Sequence, residues 1–99
     1  MPFAWSLTTT IDNRVDTIID TTDDHDAAVT AALAAALDAM HAARTNQLPQ
    51  APRYELHADG ALVALIQTGT DDSGHPDHAE AASMIQRIEV ARSLSTSPR

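Results

Sequence analysis

The same order of signals runs through this chain twice: a strand-like run, a turn, a second strand-like run, an acidic helix start and an amphipathic helix. The first pass occupies 3–44 and the second 53–94, with 45–52 between them. Turn residues Asn13 and Gly60 stand 47 positions apart, and the triplets Thr22-Asp23-Asp24 and Thr70-Asp71-Asp72 stand 48 apart. That register points to a ββα unit used twice. The likeness is one of pattern rather than identity, so two ordinary hairpin–helix units would also produce it.

In the first unit Phe3, Trp5, Leu7, Thr9 and Ile11 alternate with Ala4, Ser6, Thr8 and Thr10. Period-two alternation is the mark of a strand with one buried face. Asp12-Asn13 supplies a turn, because both residue types tolerate left-handed backbone. Val15, Thr17 and Ile19 read as the inner face of the returning strand, with Asp16, Ile18 and Asp20 pointing the other way. Asp23 and Asp26 then resemble a capping box. A helix follows to about Ala43 or Arg44, with Val29, Leu33, Leu37 and Met40 forming a narrow apolar stripe flanked by alanine.

In the second unit Tyr54, Leu56 and Ala58 alternate with Arg53, Glu55 and His57. Asp59-Gly60 is the strongest hairpin signal, since a type I′ turn needs positive φ at both positions. The run from Ala61 to Ile66 is apolar on both faces, a pattern that suits a strand covered on two sides. Pro76 fits the first turn of a helix, and Asp77 with Glu80 forms a second capping-box pattern. Ala81, Met84, Ile85, Ile88 and Ala91 give that helix its apolar face. The end of the chain from Ser95 is expected to fray.

These elements predict one α+β domain, a two-layer ββαββα sandwich. Its four-stranded, mainly antiparallel sheet carries two helices on one face. With 43% hydrophobic residues among 99, the chain can bury one modest core. Phe3, Trp5 and Tyr54 are its only aromatic side chains, so that core must be aliphatic and alanine-rich.

Composition also excludes function classes. A net charge of −8 repels nucleic-acid phosphates and anionic lipid. Without cysteine there is no disulfide framework and no thiolate chemistry. The apolar stretch around Ala31 to Ala36 is far too short to span a bilayer. The N-terminus lacks a basic region followed by an apolar run, so a cytoplasmic protein without a signal peptide is expected.

No residue set names a reaction, and no cofactor is implied. The chain has no nucleophile elbow, phosphate-binding glycine loop or HExxH pattern. His75 and His78 lie three apart near a helix start, a spacing from which imidazoles can share a divalent metal. Solvated cap residues explain them better, and Pro76 stands between them, so no metal site is expected. Asp24-His25-Asp26 does not converge on one point, and a capped helix start accounts for it.

The doubly apolar fourth strand has a different consequence. One of its faces meets the helices, and the other would face water, carrying either Leu62 and Ile66 or Val63 and Leu65. Such a patch commonly marks a protein contact. The expected function is therefore a small acidic interaction module, an adaptor, inhibitor or regulator, that forms a homodimer or binds another protein through the open sheet face. The expected contact residues are Ile18, Leu62, Val63 and Ile66. Asp16, Asp20, Asp23 and Asp24 add an acidic contact suited to a basic partner. The competing expectation is a small enzyme or ligand-binding domain with a pocket between sheet and helices, walled by Trp5 or Tyr54 and using His57.

Overall fold

The computed structural model describes residues 2–47 and 49–96. Its elements are β1 (Phe3–Ile11), β2 (Arg14–Thr22), α1 (His25–Thr45), β3 (Arg53–Ala58), β4 (Ala61–Gln67) and α2 (His78–Thr96). The four strands form one sheet in the order β2-β1-β3-β4, every neighbouring pair antiparallel. The fold is thus the expected α+β ββαββα arrangement. Each unit places its first strand at the centre and its second at an edge. The tail expected to fray overlaps α2 at Ser95 and Thr96, and 97–99 lie outside the described residues.

Both hairpins turn on an aspartate with left-handed backbone, Asp12 at φ 52 and Asp59 at φ 53. Gly60 follows Asp59 at φ 76, giving the type I′ turn its sequence demands. In the first hairpin Asp12 alone of the two loop residues has positive φ.

The register of that first hairpin reverses one expectation. Ile11 pairs with Arg14, Leu7 with Ile18 and Trp5 with Asp20. Residues directly opposite share a face of the sheet. Asp16, Ile18 and Asp20 therefore lie on the helix side, with Trp5 and Leu7. Val15, Thr17 and Ile19 lie on the open side. Apolar residues occur on both parities of β2, so hydrophobicity could not decide its orientation. The two-residue loop did, because loop length fixes register and a one-residue slip would exchange the faces.

A second irregularity sits in β4. Leu56 pairs with Ala64 but His57 pairs with Leu62, leaving Val63 as the extra residue of a bulge. Ile66 and Ala64 face the helices opposite Tyr54 and Leu56. Leu62 and Leu65, three apart, are brought to the same open face. Neither pairing expected from a regular strand occurs. Nor is β4 covered on both faces, because Leu62 and Leu65 on the side away from the helices are exposed.

Trp5, Leu7, Tyr54, Leu56, Ala58 and Ile66 meet the buried residues of both helices in a single core. From α1 these include Ala28, Val29, Ala32, Leu33, Ala36 and Met40. Alanine makes up half of these residues and lets the helix lie close over β1 and β3. Leu37, expected in the stripe, is only half-buried. Each fully buried Leu, Ile or Met contributes about 1.5–3 kcal/mol of transfer free energy. Helix α2 packs mainly on α1 and touches the sheet chiefly at β4.

Capping sets both helix starts. Asp24, not Asp23, is the N-cap of α1; its side chain accepts from the Ala27 N–H at 2.7 Å. Helix α1 ends at Thr45, where Asn46 N–H donates to the Ala42 carbonyl and Gln47 follows with φ 51. Asp77 caps α2 by accepting from the Glu80 N–H at 3.0 Å. Pro76 precedes the helix and bridges to Thr70 instead of entering the first turn. Arg92 of α2 reaches Asp26 at 3.8 Å and Thr30 at 3.3 Å, so the C-terminal part of α2 lies against the start of α1.

Candidate protein-interaction surface

Both helices cover one side of the sheet, so the side chains on the other side meet solvent. Its middle is polar. Thr8 and Thr17 bring their Oγ1 atoms to 3.1 Å across β1 and β2. His57 stands between Ser6 and Leu62 on neighbouring strands, and Arg53 lies 4.0 Å from Glu55. Its two margins are apolar. Val15 and Ile19 on β2 are 63% and 69% exposed, while Leu62 and Leu65 on β4 are 56% and 53% exposed. Three strand spacings separate these margins, roughly 14 Å.

The residues expected to make contact divide among three places. Leu62 lies on the open face as expected. Val63 is half-buried in the bulge and packs on the core. Ile66 corrects the expectation: at 4% exposure it is a core residue, and it offers nothing to a partner. Ile18 is 53% exposed but lies on the helix side, where α1 stops short of β2. Asp16 and Asp20 flank it on that same side, both exposed. Asp23 and Asp24 lie beyond the end of β2, where Asp24 is occupied as a cap.

Val15 and Ile19 on the open face escaped the sequence reading. For Val15 and Ile19 a signal existed in the two-residue turn, whose parity fixes the face of every β2 residue. Leu65 stood in one of the two expected pairs, and the bulge decides its face.

Strand β2 is unusual in another respect. From Arg14 to Thr21 every residue is exposed, and among the described residues β1 is its one neighbour in the sheet. With a two-residue loop, Ile11 and Arg14 form the closing hydrogen-bonded pair. Hydrogen-bonded and non-hydrogen-bonded pairs then alternate, so Thr8 and Thr17 form a non-hydrogen-bonded pair. The short Thr8–Thr17 hydroxyl contact agrees, since side chains approach more closely in such pairs. Val15, Thr17, Ile19 and Thr21 therefore turn their backbone N–H and C=O groups outward along a free edge.

The residues named for the rival pocket do not converge. Trp5 and Tyr54 are buried in the core, and His57 lies on the opposite side of the sheet. Burial pushes the Tyr54 phenol up to about 12. A surface groove of about 590 Å³ lies where the end of α1 meets the start of α2, and Arg44, Asp71, His75 and His78 help to line it. Asp71 accepts backbone N–H bonds from Ser73 and His75 within its own loop. His75 is exposed before the helix, whereas His78 is buried as its first residue. Among the described residues, no three His, Cys, Asp or Glu side chains form a group able to hold a metal ion. No helix among them is long and apolar enough to cross a membrane. The chain matches no protein-family model, and neither a curated protein nor a solved structure was found similar to it.

Proposed function

We propose that this chain is a small acidic protein-interaction module, working in the cytoplasm as an adaptor, inhibitor or regulator, and that it associates through the open face of its sheet. The observation that carries this reading is the exposure of Val15, Ile19, Leu62 and Leu65 on the one sheet face without helices. Large aliphatic side chains on a face otherwise made of hydroxyls and charges have a use when another surface removes them from water. The polar middle and apolar margins suit a partner, or a further copy, that satisfies hydroxyls at its centre. The negative charge favours a basic partner at the encounter stage.

Sedimentation across a wide concentration range, together with affinity capture from the native cell, tests this reading. Self-association or a stoichiometric partner is expected. Replacing both Leu62 and Leu65 by Glu should weaken attachment at that margin while leaving the fold intact. A chain that stays monomeric at high micromolar concentration and recovers no partner would remove the proposal.

A further inference from the structure

We infer that β2 is an intermolecular pairing edge and that its occupant is β2 of a second copy, antiparallel about a two-fold axis at Thr17. This rests on the reading of the chain as an interaction module and specifies one of its partners. The two edges of the sheet are not alike. At β4 the bulge at Val63 interrupts the ladder, a common way to keep a sheet edge from pairing. Strand β2 has nine residues in unbroken register, contains no proline or lysine, and exposes Val15, Ile18 and Ile19 by more than half. Because α1 lies over β1 and β3, the helix layer leaves room beside β2 for a second sheet.

The register follows from charge and from backbone direction. The outward-facing backbone groups belong to the odd-numbered residues, so antiparallel pairing must match odd with odd. With the axis at Thr17, Val15 of one copy faces Ile19 of the other on the open side. On the helix side Arg14 faces Asp20, and Asp16 faces Ile18. By symmetry the Arg14–Asp20 and Val15–Ile19 pairs each form twice. Moving the axis to Ile18 sets Asp16 against Asp20 twice, and moving it to Asp16 sets that carboxylate against itself. An axis at Ile19 carries Val15 beyond the strand to Asp23. An axis at Val15 also joins Arg14 to Asp16 but pairs only three residues of each strand; of the registers that pair five or more, the one at Thr17 alone joins opposite charges and apolar partners together. The product is a continuous eight-stranded sheet in which the exposed margin of β2 becomes a central seam.

Charge exchange tests this register directly. Sedimentation velocity of the full chain should show a dimer at micromolar concentration. Arg14→Asp opposes two carboxylates at both ends of the seam, and Asp20→Arg opposes two guanidinium groups. Each variant alone should dimerise about tenfold more weakly, the scale expected when two exposed ion pairs turn repulsive. An equimolar mixture of the two variants restores both Arg–Asp pairs, so its dimer should return to wild-type strength. Thr17→Pro removes an outward N–H at the axis from a strand edge that tolerates proline, and should give a folded monomer by circular dichroism and sedimentation. A mixture no tighter than the separate variants overturns the inference. So does a dimer that survives all of these changes but is dispersed by Leu62→Glu with Leu65→Glu; that outcome leaves association through the open face standing. A monomer that captures no partner removes both.

Discussion

Thr8 and Thr17 face each other across β1 and β2 with their hydroxyl oxygens 3.1 Å apart. This pair marks the parity of the whole first hairpin. Its closeness belongs to a non-hydrogen-bonded position, which sends the backbone groups of Thr17 away from β1. The orientation of Val15 and Ile19, and the free edge they sit on, follow from the same alternation.

Amide exchange should reproduce that alternation. In dilute protein the N–H groups of Asp16, Ile18 and Asp20 should exchange slowly, and those of Val15, Thr17 and Ile19 fast. Residue-resolved hydrogen exchange reads this directly. Equal protection along β2 at low concentration would contradict the hairpin register.

The helix caps give a second prediction. Asp24→Ala and Asp77→Ala each remove an acceptor for an otherwise unpaired helix N–H, and each should cost about 1 kcal/mol. Asp23→Ala should stay within about 0.5 kcal/mol, as for other exposed positions. Urea denaturation of the three variants measures the contrast, and a larger loss at Asp23 than at Asp24 would reassign the cap.

Neighbouring residues of β4 should behave in opposite ways. Ile66→Ala opens a cavity beneath the helices and should destabilise the fold by about 2–5 kcal/mol. Leu65→Ala, on the open face, should change monomer stability by less than about 0.5 kcal/mol. Denaturant titration of monomeric protein distinguishes them.

Alkaline stability should depend on Tyr54, the only tyrosine in the chain. Burial raises its folded-state value from 10.0 to about 12. Between these values the unfolded chain loses the phenolic proton while the folded chain keeps it. Ionisation then favours unfolding, and the stabilisation held below pH 10 declines as pH rises toward about 12. Tyr54→Phe should flatten that decline. Tyrosinate absorbance followed against pH, beside circular dichroism, checks both statements; a phenol titrating near 10 in folded protein would contradict them.

Much of the architecture was legible because its signals are local. The alternation from Phe3 to Ile11, the Asp59-Gly60 turn and the alanine-rich run after Asp24 each fix a nearby backbone state through sterics or capping. The candidate surface was less legible. The β2 segment is apolar on both parities, so its hydrophobic pattern supports either orientation. In β4, strict alternation could not separate Leu62 from Ile66, because it assumes a regular ladder.

Element order, turn positions and the antiparallel hairpins follow from local signals alone, because each depends on residues within a few positions of one another. Which residues the helices cover depends instead on contacts between distant segments. The bulge at Val63 exists only through pairing with Leu56 and His57, and it buries Ile66 while turning Leu62 and Leu65 outward. The coverage of α1 over β1 and β3 leaves all of β2 from Arg14 to Thr21 exposed. The doubled ββα pattern therefore specified the sheet, while register and packing across distant segments determined which of its edges is free to pair.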